Sequence, residues 1–353
     1  MSHSGPFRPS AVLAFAALAA LLLATAICSM GLGAVRIAPG DIFRSLLTPG
    51  ALPPGSRASI DMVLWQLRIP RVLAGLLVGA TLAMAGALMQ GMFRNPLADP
   101  GLIGVSGGAA LGAVTIIVFS TTLFAGHPWL GDLRLLPLAA FAGALAITLL
   151  IQALARTGGY TDVATLLLAG VAVNAIVGAV IGLSVFLASD AQMRTLSFWT
   201  LGSLGGASWK TLGLMAPLCV VLLLAAPFFS AALNAIALGE AEAEHLGFSV
   251  ERVKGILIYL TAAGVGACVA FTGMIGFIGL VTPHLIRLWL GPDHRRLLPA
   301  SALLGAALLI ASDTLARNIA APAELPIGVI TAAFGGPFFL VMLLRRRRRA
   351  YSE

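Results

Sequence analysis

The sequence predicts an all-α, polytopic membrane protein with about ten transmembrane helices. Of its 353 residues, 59% are hydrophobic and only 10% are charged, whereas about a quarter of a soluble globular chain is charged. Apolar runs of about 20 residues, the length that crosses a bilayer, recur from one end to the other. The connections between them are short, so residues 1–353 are expected to form a single transmembrane domain.

The predicted spans follow the apolar runs in chain order: 11–33, 70–91, 101–122, 134–155, 163–187, 209–230, 254–272, 276–290, 298–316 and 328–344. The first run is longer than the apolar core of a signal peptide, so it is interpreted as a membrane helix. The eighth is short and contains Pro283. Such a helix is tolerated where neighbouring helices or a cavity satisfy the freed backbone groups.

Positive charge sets the predicted orientation. A run of five arginines, Arg345 to Arg349, follows the last span, and such a run is more often a membrane-surface anchor than a nucleic-acid site. If this basic tail (345–353) is cytoplasmic, an even number of spans puts both termini in the cytoplasm. The outer cations are then Arg36, Arg44, Arg57, Arg68, Arg71, Arg134, Arg194, Lys210 and Arg317. So many outer cations suggest an acidic partner outside the membrane.

Small residues at four-residue spacing predict close helix packing, because they let two backbones approach each other. Two predicted helices carry such a series: Gly75, Gly79 and Ala83, and then Gly170, Asn174, Gly178 and Gly182. Asn174 is the exception in its series, since a polar amide in mid-helix is a candidate for lining a pathway.

Residues 231–253 interrupt the apolar pattern. They combine good helix formers with four acids, Glu240, Glu242, Glu244 and Glu251, and they include Gly247 as a candidate helix C-cap. The stretch is too short for a domain and too helical for an ordinary loop. A pair of short helices lying against a partner explains it best.

Energy-coupling and catalytic chemistry are absent from the sequence. There is no phosphate-binding loop, and Asp313 with Arg317 one turn later is best explained as an i,i+4 ion pair. The cysteines, Cys28, Cys219 and Cys268, lie in apolar runs and are interpreted as small buried hydrophobes. An ion-driven secondary transporter or a membrane enzyme would need carboxylate networks or clustered catalytic groups. Any pumping would therefore be powered by another subunit.

Six segments in order resemble the permease subunits of bacterial ABC importers for iron–siderophores, haem and cobalamin. They lie at 67–71, 91–106, 166–170, 237–247, 276–284 and 324–328, and the likeness extends over about residues 12–344. The resemblance implies a homodimer in the inner membrane, two copies of an ABC ATPase that uses ATP and Mg, and a periplasmic binding protein. This chain would then bind no cofactor and would not be an enzyme, and no nucleic acid would be a partner.

The resemblance also implies site residues. The arginines of Leu67-Arg-Ile-Pro-Arg71 and the one after the ninth span would receive acidic groups of the binding protein: Arg68, Arg71 and Arg317. The stretch from Leu238 would lie in a groove of the ATPase, with contacts from Leu238, Gly239, Glu240, Leu246 and Gly247. Asn95 and Leu97 would gate the cytoplasmic end of the pathway. The segment Thr161-Asp-Val-Ala164 would be the second gate element, although its sequence departs from the more polar pattern of the family.

The segments 91–106 and 190–209 are most similar to those of haem permeases, so haem is the expected substrate. Cobalamin and ferric siderophores remain alternatives within the family. His284 lies in the membrane region, but its motif is shared by relatives with other substrates, and a structural or gating role is favoured over haem ligation. A translocation path should in any case bind its cargo weakly.

Overall fold

The computed structural model describes residues 10–33, 35–47, 57–123, 133–321 and 323–350, and these form a helical bundle. The helices are α1 (Ala11–Gly31), α2 (Pro39–Leu47), α3 (Arg57–Met62), α4 (Ile69–Met92), α5 (Val105–Leu123), α6 (Leu136–Ala155), α7 (Val163–Leu187), α8 (Asp190–Leu201), α9 (Trp209–Ala225), α10 (Ser230–Leu238), α11 (Glu240–His245), α12 (Val250–Thr272), α13 (Ile278–Leu290), α14 (His294–Ile319) and α15 (Ile327–Ala350). A two-residue β-hairpin, β1 (Arg156–Thr157) and β2 (Tyr160–Thr161), joins α6 to α7.

Each of the ten predicted spans contains a helix. Within the described residues, seven helical stretches are long and apolar enough to cross a membrane by length and composition, and three apolar helices are shorter: Val105–Ser120, Ile278–Leu290 and Ile327–Met342. Two predicted boundaries differ by eight residues or more. The second span is part of a continuous helical stretch, Ile60–Met92, and the sixth continues through a 3₁₀ turn at 226–229 as far as Leu238. At both positions the helical backbone continues beyond the end of the apolar run, so hydropathy alone did not locate the end of the helix.

Helix α4 lies at the centre of the bundle, where 83% of its most apolar window is buried. It crosses α14 at Gly79, where an added Cβ would overlap the carbonyl of Gly305, and it crosses α13 at Gly86, where a Cβ would overlap that of Gly279. The predicted close packing of the first small-residue series is confirmed at Gly79. Contacts this close need glycine on both helices.

The cysteines divide into two groups. Cys219 on α9 and Cys268 on α12 are buried, with their Sγ atoms 3.5 Å apart. The prediction that Cys28 is buried was wrong, since it is exposed on α1. Only 11% of the most apolar window of α1 is buried, because this helix lies at the edge of the bundle and presents its apolar side chains outward.

Candidate functional site

The two ends of the bundle carry different charge clusters. One end of the bundle, where α4 and α15 begin and where α14 terminates, is called the Arg71 end. The opposite end, where α6 ends and α7 and α12 begin, is the Lys254 end. At the latter, Gly91 near the end of α4 packs against His294 at the start of α14 and Leu233 of α10. The predicted docking residues lie at the first end, and the predicted coupling and gating residues lie at the second.

At the Arg71 end, one guanidinium group holds two carboxylates. Arg71 donates from Nε and Nη2 to Asp313 of α14 at 2.9–3.1 Å, and from Nη1 and Nη2 to Glu324 at 2.9 Å each. Asp313 also pairs with Arg317 at 3.1 Å, so the predicted i,i+4 ion pair is confirmed. This fork-to-fork arrangement fixes the start of α4 against α14 and against the segment before α15.

The other two predicted docking arginines are also engaged within the chain. Arg68 donates to the backbone carbonyls of Met30 and Val35, which belong to the end of α1 and the segment that follows it. Arg317 donates from Nη2 to the hydroxyl of Ser29 at 2.7 Å and to its carbonyl at 3.2 Å. All three arginines therefore tie helices together.

Burial limits what these arginines can offer a partner. The exposed fractions of the Arg71 and Arg317 side chains are 14% and 9%, and Arg68 is buried. Glu324 is the accessible member, with 46% of its side chain exposed. The sequence reasoning included Glu324 only as part of a motif, and its pairing with Arg71 spans 253 residues. Exposed cations at this end belong to neighbouring segments, at Arg36, Arg44 and Lys210.

The predicted pair of short helices in 231–253 is present as α10 and α11. Gly239 separates them with φ +148°, and Gly247 ends α11 with φ +88° while its N–H donates to the carbonyl of Glu244. Gly247 is thus a C-terminal cap, as predicted, since glycine adopts left-handed backbone conformations without a Cβ clash. Leu238 and Leu246 are exposed, at 70% and 62%. These two exposed leucines, each next to a glycine turn, are available to pack into an apolar groove of a partner.

A lysine that the sequence reasoning did not select joins these helices to the rest of the Lys254 end. Lys254, in the second turn of α12, is buried and donates from Nζ to Glu240 at 2.7 Å, to Glu251 at 3.1 Å and to the carbonyl of Thr161 at 3.1 Å. Glu251 in turn accepts from the N–H of Thr161 at 2.6 Å. We call these four residues the Lys254 cluster. A lysine at the start of an apolar run was the available signal, because buried cations in membrane helices are costly unless paired.

The Lys254 cluster connects a predicted coupling residue with a predicted gate element. Glu240 begins α11, and Thr161 ends the β-hairpin before α7. Asp162 follows and caps α7 by accepting from the N–H and the hydroxyl of Thr165 at 2.7 and 2.6 Å. Hydrogen bonding to Thr165 lowers the pKa of this carboxyl group. Lys254 of α12 therefore links α11 to the start of α7 by hydrogen bonds.

The first gate element is a compact turn after α4. The Oδ1 atom of Asn95 accepts from the N–H of Leu97 at 2.9 Å, which holds the turn, and Leu97 is 42% exposed. Asp99 accepts from the N–H of Gly101 at 2.8 Å and caps the 3₁₀ turn before α5. Burial raises the pKa of Asp99, and the bond from Gly101 opposes that rise.

Helix α7 packs closely against the bundle in its first half, whereas the glycines of its second half are uncovered. Asn174 donates to the carbonyl of Gly101 at 3.1 Å, and a Cβ at Gly170 would overlap the carbonyl of Leu102. The Asn174 amide thus holds α7 against the turn before α5, and a pathway-lining role stays a prediction. Farther along, a Cβ at Gly178 or Gly182 would meet nothing within 4 Å. Among the described residues, no neighbouring segment packs closely against this second half of the small-residue series.

Comparisons with known proteins agree on one family. The model of the FecCD transport family matches residues 21–345. A hemin transport system permease protein of Yersinia pestis is 44% identical, over 98% of this chain and 99% of the relative. A vitamin B12 import system permease protein of Escherichia coli is 42% identical over 94% of each chain. Among solved structures, a metal-chelate-type ABC transporter in an inward-facing conformation has a TM-score of 0.80 at 29% identity and covers 95% of this chain.

Proposed function

We propose that this chain, which belongs to the FecCD transport family and is the permease subunit of an ABC importer, carries haem. The observation that supports haem is the 44% identity to a hemin permease over almost the full length of both chains. Cobalamin is the second candidate, because vitamin B12 permeases are 42% identical over 94% of the chain. A ferric siderophore would fit the same architecture.

The proposed working unit is a homodimer bound to two ATPase subunits in the inner membrane. The uncovered glycines of α7, Gly178 and Gly182, offer a surface on which a second copy could pack closely. Exposed apolar side chains continue that face of α7 at Val171 and Phe186. Both termini are proposed to be cytoplasmic, since the arginine run Arg345–Arg349 ends α15.

The ATPase is proposed to act on the permease through α10 and α11. Leu238 and Leu246 would lie in its groove, with Gly239, Glu240 and Gly247 shaping the contact. Movement of α11 would pull on Lys254 through Glu240, and Lys254 would carry that movement to Thr161 and the start of α7. Asn95 and Leu97, at the same end, would open or close in the same step. ATP is bound and hydrolysed in the partner subunit.

The binding protein is proposed to dock at the Arg71 end by an exchange of carboxylates. Arg71 is already paired with Glu324, whose side chain is half exposed and comes from a segment without helical structure. An acid of the binding protein could take the place of Glu324 on Arg71, while Arg68 and Arg317 hold the surrounding segments. Exposed Arg36, Arg44 and Lys210 would supply the long-range attraction.

Uptake by the reconstituted complex tests the proposed function. Proteoliposomes would contain this permease and its ATPase, and each candidate substrate would be added with its loaded binding protein: haem, cobalamin or a ferric siderophore. ATP-dependent accumulation of haem alone is the expected result. Accumulation of another substrate would overturn the haem assignment and leave the importer mechanism in place. No uptake of any of them by an assembled, ATP-hydrolysing complex would contradict the proposed direction and cargo class.

A further inference from the structure

A cavity with both polar and apolar walls opens at the Lys254 end, between the end of α6, the β-hairpin and the start of α12. It has a volume of about 230 Å³ and is lined by Gln152, Arg156, Thr161, Glu251, Arg252, Gly255, Ile256 and Tyr259. A liquid water molecule takes up about 30 Å³, so this cavity can hold a group of several non-hydrogen atoms. None of the predicted docking residues lines it.

The charge of the cavity is positive where it is accessible. Arg156 and Arg252 are both exposed. The single acid in the wall, Glu251, shares Lys254 with Glu240 at 3.1 and 2.7 Å, and it also accepts from the N–H of Thr161. These three charged side chains carry one net negative charge, which Arg156 and Arg252 outweigh, so an anion entering the cavity would meet a net positive wall.

One buried side chain in the wall has an unused hydrogen-bonding atom. Gln152 is 7% exposed, and its Oε1 has no hydrogen-bond partner among the described residues. An unpaired buried acceptor costs about 1–3 kcal/mol. Gly255 on α12 leaves space beside this amide, since a Cβ there would lie 3.9 Å from Gln152 Nε2. Gln152 also lines the cavity, so a small rotation of its amide would present the unpaired oxygen to a donor there, such as a hydroxyl group.

The surface next to the cavity is apolar and faces outward from the bundle. Leu149, Leu150 and Leu154 of α6 are 46–54% exposed, and Ile256 and Tyr259 of α12 are 38% and 49% exposed. Tyrosine beside a cationic group and exposed leucines is typical of the boundary between the bilayer core and the headgroups. The cavity therefore lies at the depth of lipid headgroups.

We propose that this cavity binds the headgroup of an anionic glycerophospholipid with a free hydroxyl group, such as phosphatidylglycerol. Arg156 and Arg252 take the phosphate, a headgroup hydroxyl donates to Gln152 Oε1, and the acyl chains lie along α6 and α12. Basic pockets between membrane helices bind anionic headgroups in this way. Because Glu251 and Thr161 line the same cavity, the bound lipid would brace the wall formed by the Lys254 cluster.

The test measures lipid binding by the delipidated permease–ATPase complex in nonionic detergent. Dioleoyl phosphatidylglycerol, dioleoyl phosphatidylcholine and inorganic phosphate are titrated separately, with native mass spectrometry and the thermal midpoint as readouts. Tight retention of phosphatidylglycerol alone is expected. The double variant Arg156→Gln/Arg252→Gln should weaken it roughly 30-fold, as two interfacial arginines are removed, and Gln152→Leu should weaken it less. The matched control Arg295→Gln/Arg296→Gln removes two exposed arginines from the start of α14 and should leave retention unchanged.

Three results would overturn the proposal. Equal binding of phosphatidylcholine would remove the role of the headgroup charge. Equal stabilisation by inorganic phosphate would make this a free-anion site. Unchanged lipid retention with loss of the ATPase from the double variant would assign the two arginines to the protein partner. If the double variant does not fold, Gln152→Leu with wild-type arginines still tests the hydroxyl contact.

Discussion

Replacing Lys254 by methionine should uncouple ATP hydrolysis from transport. Methionine fills a similar volume on an unbranched chain, but it removes the three bonds from Nζ to Glu240, Glu251 and Thr161. The link between α11 and the hairpin before α7 is then lost, while α10 and α11 keep their own backbone hydrogen bonds. The coupling helices should still bind the ATPase, yet their movement would no longer reach the gate.

The size of the effect follows from the burial of each partner. Glu240 and Glu251 have 41% and 25% of their side chains exposed, so water can replace the ammonium group, and each ion pair is worth at most about 1 kcal/mol. The carbonyl of Thr161 belongs to a buried residue and loses a charged donor, at a cost of about 1–3 kcal/mol. The total is about 1–5 kcal/mol. This loss is large enough to break the link and small enough for the bundle to fold.

The assay compares transported substrate with ATP hydrolysed in proteoliposomes. We expect ATP hydrolysis stimulated by the loaded binding protein to persist, with the transport-to-hydrolysis ratio reduced about tenfold or more, as expected for a loss of 1.4 kcal/mol or more. The matched control is Arg296→Met, which removes an exposed cation from the start of α14, at the Lys254 end. A lower thermal midpoint with an unchanged ratio would refute the reasoning, because the Lys254 cluster would then only stabilise the fold.

Three further predictions concern the centre and the two ends of the bundle. Arg71→Gln should destabilise the permease by about 3 kcal/mol, since it leaves the buried Asp313 with one arginine fewer; the thermal midpoint should fall, whereas Glu324→Gln should leave it nearly unchanged. Gly86→Val should abolish the folded yield measured by size-exclusion chromatography, because its Cβ would overlap the Gly279 carbonyl; Gly213→Val, with open space around it, should not. Burial raises the pKa of Asp99, so the folded state binds a proton more readily than the unfolded state, and stability falls as pH rises from about 4 toward the raised pKa. Asp99→Asn should remove that fall and raise the thermal midpoint at pH 7.5; equal midpoints for both proteins at pH 5 and pH 7.5 would contradict this sign.

The sequence by itself determined the number of helical spans and the character of the segment after the sixth. A bilayer demands about 20 apolar residues and internally paired backbone, so hydropathy predicts each span without knowledge of its neighbours. The pair of short helices and the cap at Gly247 were readable for a similar reason, because both depend on local backbone conformation. The close crossing at Gly79 was also visible as a four-residue series of small residues.

Only the tertiary structure decided which polar groups meet. Arg71 finds Asp313 and Glu324 at sequence separations of 242 and 253 residues, and Lys254 finds Thr161 at 93. No local pattern specifies such pairs, since each depends on the order in which apolar helices pack. The sequence suggested Arg71 for docking because the motif Leu67-Arg-Ile-Pro-Arg71 resembles that of the importer permeases. The structure shows it mostly covered, with 14% of its side chain exposed, and paired, because a cation at a helix junction is stabilised there only when carboxylates from other parts of the chain neutralise it.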